Sequence, residues 1–126
     1  MVVFLHIKQY VKSLTWFFTS LALEPRHWHN DMPGLTSDAT IIAYSEGCPR
    51  QIIAYSDRVF GFQCHLELNT EVVSLLVAQE DFSLSTQHRF VETPEQLLSH
   101  NYDEMNDKLY TFLDKLAANY TNTLAQ

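Results

Sequence analysis

Glycine is nearly missing: Gly34, Gly47 and Gly61 are the only three in 126 residues. Glycines so dispersed cannot build a phosphate-cradling loop or a dinucleotide fingerprint, which need several within a few positions. Cysteine is equally scarce, with only Cys48 and Cys64. A secreted domain this small would carry a denser disulfide set, and no C-x-x-C pair is present for zinc, so a reducing, cytoplasmic setting is expected. Positive charge is short as well: 8 Lys+Arg against 15 Asp+Glu give a formal net charge of −7. Nucleic acid and anionic membrane both require a basic footprint, so neither is an expected partner. Long apolar runs are also lacking. Lys8 and Lys12 interrupt the N-terminal stretch, and the uncharged run Ser13–Leu23 is too short to span a bilayer. No charged region precedes that stretch and no cleavage site follows it, so a targeting segment is not expected.

What remains is ample for one modest domain. Hydrophobic residues make up 46% of the chain and aromatics 13%, enough to bury a core. Pro25 is the first clear breaker, and Met32-Pro33-Gly34 reads as a turn. Thr40–Ser45 (TIIAYS) and Gln51–Ser56 (QIIAYS) read as two strands of an antiparallel hairpin. Val59–Leu68 reads as a third strand, with Phe60, Phe62, Cys64, Leu66 and Leu68 on one face and Gly61, Gln63, His65 and Glu67 on the other. Helices follow. Asn69 or Thr70 can cap one at Glu71–Gln79, and Thr93-Pro94-Glu95-Gln96 has the pattern of a capping box. Asp103–Ala118 places Met105, Leu109, Phe112, Leu113 and Leu116 on one stripe, which predicts a core helix with a frayed tail from Asn119.

The chemistry concentrates at His65 and Glu67. Side chains two apart on a strand share a face, so a carboxylate can hold one imidazole nitrogen while the other takes a proton. The same spacing also fits a polar sheet face with an incidental pair. Neither thiol is placed to serve as nucleophile: Cys64 points away from His65, among Phe60 and Phe62, and Cys48 lacks the small flanking residues of a strand-to-helix elbow. A second pattern, His27-x-His29-x-Asp31, matches the opening of a binuclear metal-hydrolase motif. Met32 stands where its final histidine belongs, and no downstream ligand set completes it.

The stretch Gly61–Glu67 (GFQCHLE) resembles the G-x-Q-x-H-P-E signature of class I, triad-type glutamine amidotransferases. His27–Thr36 (HWHNDMPGLT) and Tyr44–Gln51 (YSEGCPRQ) resemble the His-x-Asp segment and hairpin of the GMP synthase-like branch, and Tyr102–Leu113 fits its last helix. Leu66 stands where the family has proline. The resemblance implies the C-terminal part of a flavodoxin-like α/β domain over residues 26–126, with residues 1–25 outside the match. It implies His65 and Glu67 as catalytic residues and His29, Asp31 and Gln63 as substrate-binding or supporting ones. Glutamine is the implied substrate, with no cofactor and no metal. The family's nucleophilic cysteine lies far upstream of its histidine, so none is expected in this chain, which points to a truncated or split gene and to no useful glutaminase activity alone. Two other readings stay open: a non-catalytic remnant that self-associates or pairs with an N-terminal half, and a metal-dependent hydrolase using His27, His29 and Asp31.

Overall fold

A computed structural model describes residues 31–82 and 91–124, together with two short strands, β1 (Ile7–Lys8) and β2 (Ala22–Leu23), which pair antiparallel. The main body is a three-stranded antiparallel sheet of β3 (Thr40–Ala43), β4 (Ile52–Ala54) and β5 (Phe60–Phe62), in that order, followed by helices α1 (Thr70–Gln79), α2 (Pro94–Ser99) and α3 (Asp103–Leu124). It is a mixed α/β arrangement, with the helices gathered after the strands. None of the described helices is long and apolar enough to cross a membrane.

The expected hairpin forms, with a shift of register between Ile41 and Ala43. This bulge sets two residues against Ile52, and both Ile42 and Ala43 enter the core. Its tip is closed by polar contacts. The Ser45 amide donates to the Cys48 carbonyl (2.8 Å), the Cys48 amide to Ser45 Oγ (3.1 Å), and the buried Gln51 amide Nε2 to the same hydroxyl (2.8 Å). Cys48 is therefore a buried loop residue.

The third strand is shorter than the alternation predicts. Regular pairing ends at Phe62, and Gln63 keeps one bond, from its amide to the Gln51 carbonyl. Beyond it the neighbouring chain has already turned into the hairpin tip, and an isolated β-bridge at His65 is all that follows of the extended pairing. Side-chain alternation nevertheless persists: Cys64, Leu66 and Leu68 are buried, while His65 is half-buried and Glu67 exposed.

One cluster joins Ile42, Ala43, Ile52, Cys64, Leu66, Met105 and Phe112, packing the sheet onto α3. Phe112 meets Phe60 and Phe62 edge-on, each at 5.1 Å between ring centroids. The second cluster holds Leu68, Val73, Leu97 and Tyr102, between α1, α2 and the start of α3. The caps are as expected: Asn69 Oδ1 accepts from the Val72 amide, and Thr93 and Gln96 form a full capping box.

Two expectations for α3 fail. Leu113 is 46% exposed rather than core. At 100° per residue it lies well round the helix from the line through Met105, Leu109, Phe112 and Leu116, and the sheet takes only that line. The helix also does not fray at Asn119 but continues to Leu124.

Candidate functional site

The segment 64–68 joins the two core clusters, and this decides where His65 and Glu67 go. Cys64 and Leu66 plug into the first cluster and Leu68 into the second. The alternating residues are thereby forced outward. Helix α3 fixes the backbone between them: the Asn106 amide Nδ2 donates to the carbonyls of Leu66 (2.7 Å) and Leu68 (2.9 Å), one on each side of Glu67. Asn106 was not legible as a site residue. Its one signal is a weak helix former in the first turns of an otherwise well-formed helix.

The result is a close pair. His65 Nδ1 lies 2.6 Å from Glu67 Oε1. That is a charge-assisted hydrogen-bond distance, with an N–H at Nδ1 donating to the carboxylate. Such a bond selects the tautomer and orients the ring. Nε2 then carries no partner among the described residues. The site is open to water, with His65 one-third exposed and Glu67 more so.

Three side chains tie the segment 31–34 to the sheet. The Gln63 carboxamide Nε2 donates to the Asp31 backbone carbonyl. The Arg50 guanidinium donates to Pro33 (2.9 Å), and the Tyr55 hydroxyl to Gly34 (2.6 Å). The structure thus brings Gln63 and Asp31 together, through the main chain of Asp31. His27 and His29 lie outside the described residues, and so does the metal reading built on them; among the described residues no three His, Cys, Asp or Glu gather as a metal site. Gly61 has a local reason: a Cβ there would stand 3.1 Å from the Tyr55 ring, so glycine lets Tyr55 cross it to reach Gly34.

The thiols are kept from this chemistry. Burial pushes the Cys64 thiol up to about 12, and the Cys48 thiol also rises above its usual range through burial. Cys64 Sγ instead sits 3.7 Å from the Gln51 carbonyl. A second histidine–carboxylate pair, His100 with both oxygens of Glu92 at 3.0 Å, brackets the two ends of α2.

No family profile matches the chain. It is 49% identical over 92 residues to the "Putative glutamine amidotransferase-like protein YfeJ" of Salmonella typhimurium, a match covering 71% of this chain and 38% of that protein. The structure aligns with the crystal structure of SMU.1228c at a TM-score of 0.81 and 39% identity, covering 92% of this chain and 51% of the other. The chain therefore spans between about two fifths and one half of the lengths of these two relatives. The likeness to the Salmonella protein supports a glutamine amidotransferase-like family.

Proposed function

We propose that residues 26–126 are the C-terminal part of a class I, triad-type glutamine amidotransferase domain of the GMP synthase-like branch, on a flavodoxin-like α/β fold, with residues 1–25 outside it. The observation that carries this is the 2.6 Å His65–Glu67 pair on a segment reading GFQCHLE. Glu67 orients His65 and fixes its tautomer through the bond at Nδ1. Nε2 takes the proton of a cysteine thiol supplied from outside this chain, and the thiolate attacks the carboxamide carbon of glutamine. His65 returns the proton to nitrogen as the C–N bond breaks and ammonia leaves; water then releases glutamate from the thioester. Gln63 supports the site by holding the main chain at Asp31, and the family resemblance gives His29 and Asp31 a substrate-binding or supporting role. The chain's own thiols do not serve, because both are buried and their ionisation is suppressed. Loss of one member of a triad costs orders of magnitude in rate, so the isolated chain is inactive as a glutaminase.

The test is a graft. Residues of this chain replace their 92 counterparts in the Salmonella relative, and glutamate release from glutamine is followed. His65→Ala is expected to lower release at least about 100-fold, the range of a general base, and Glu67→Gln to lower it less. Unchanged release in His65→Ala would refute the assignment. The chain alone should release no more glutamate than its own His65→Ala variant.

A further inference from the structure

Residues 31–34 lie outside every strand and helix, and none of them is buried. Met32 is 50% exposed, so no apolar anchor fixes the segment. What fixes it is a set of three side chains, each donating to one of its carbonyls: Gln63 to Asp31, Arg50 to Pro33 and Tyr55 to Gly34. These bonds place the segment on a particular side. Gly61, Gln63 and His65 alternate onto one face of their stretch. Gln63 draws Asp31 to that face, and the Tyr55 ring crosses it at Gly61 on its way to Gly34. The segment is therefore held on the face that carries His65.

We propose that Arg50 and Tyr55 are positioning residues of the glutamine site: they hold segment 31–34 beside His65 as the surface against which the amino-acid end of the substrate binds. This rests on the amidotransferase reading and adds to it two residues outside the GFQCHLE stretch. A small substrate is oriented well only by groups that are already in place. A segment with no buried residue meets that condition only while its carbonyls are held. When one bond is lost, substrate binding must supply the missing order, and affinity falls. The proton transfer at His65 is untouched, because the Glu67 bond and the two Asn106 bonds hold that turn separately. Binding and chemistry are thus fixed by different contacts.

The graft into the Salmonella relative tests this by separating KM from kcat. Arg50→Met should raise the KM for glutamine about tenfold and Tyr55→Phe about fivefold, the effects of losing a charged and a neutral hydrogen bond. In both, kcat should stay within about twofold of the parent graft. The same two changes made in the His65→Ala graft, which does not consume glutamine, should weaken glutamine binding equally by calorimetry. Arg50→Lys keeps a donor and should recover part of the KM. A merely structural role would lower the melting temperature and the amount of active protein while leaving KM where it was. An unchanged KM in both variants, with release still abolished by His65→Ala, overturns this proposal alone. Release that is absent from the graft, or indifferent to His65→Ala, overturns the amidotransferase reading and this proposal with it. If the graft does not fold, the chain itself decides. Chymotrypsin should cut after the exposed Leu35 at least about fivefold faster in the Arg50→Met/Tyr55→Phe double variant, and an unchanged rate overturns the proposal.

Discussion

Asn106 offers the sharpest test of how the site is held. Its amide donates to two carbonyls belonging to residues only 1% and 5% exposed. Asn106→Ala deletes two neutral hydrogen bonds, worth about 1 kcal/mol each, and leaves both carbonyls short of a donor, which can raise the cost to about 4 kcal/mol. Against that, alanine is the better helix former by about 0.5 kcal/mol. Because Asn106 is itself only half-buried, water can reach part of the gap, and the expected net loss is about 2–3 kcal/mol. Asn106→Asp keeps the shape but turns a donor into an acceptor facing two acceptors. It should cost at least as much at neutral pH and recover part of the loss below about pH 4, where the carboxyl protonates and can donate. Urea unfolding followed by circular dichroism measures both. Thr111→Ala, whose hydroxyl bonds only the exposed helix backbone at Asp107, is the control and should cost under about 0.5 kcal/mol. If Asn106→Ala and Asn106→Asp each cost under about 1 kcal/mol, the His65–Glu67 turn is held by its core anchors alone and the argument for Asn106 fails.

Other expectations follow from the same geometry. Cys64 should shape the alkaline limb of stability. Its folded pKa of about 12 lies above the ordinary 9.0, so the unfolded chain gives up the proton first and stability falls as pH rises between those values. The slope approaches about 1.4 kcal/mol per pH unit, and Cys64→Ala should flatten it in unfolding curves taken across that range. In the native chain at pH 8 both thiols should resist a disulfide reagent and react on addition of urea; fast reaction of the folded protein would contradict their burial. Tyr55→Phe removes the bond to Gly34 and should cost about 1 kcal/mol, read as a lower urea midpoint with unchanged slope. Thr93→Ala breaks the capping box of α2 and should cost about 1 kcal/mol by the same assay.

Much of this protein is written in local pattern. The two IIAYS strands, the Asn69 cap, the Thr93 capping box and the placement of Cys64 away from His65 follow from alternation and from side chains that bond their own backbone nearby. The pairing of His65 with Glu67 was equally near the surface of the sequence, since residues two apart on an extended segment must share a side. Tertiary structure decided the rest. Strand β5 stops at Phe62 because the neighbouring chain has left the ladder, a fact about a segment some ten residues away. Periodicity alone could not separate Phe112 from Leu113, because which arc of an apolar helix is buried depends on what packs against it. Asn106, Arg50 and Tyr55 matter through bonds to carbonyls 17 to 40 residues away, and composition and spacing carry no trace of contacts at such range. Near neighbours in the chain fixed the parts of the site, and the fold decided what holds them in place.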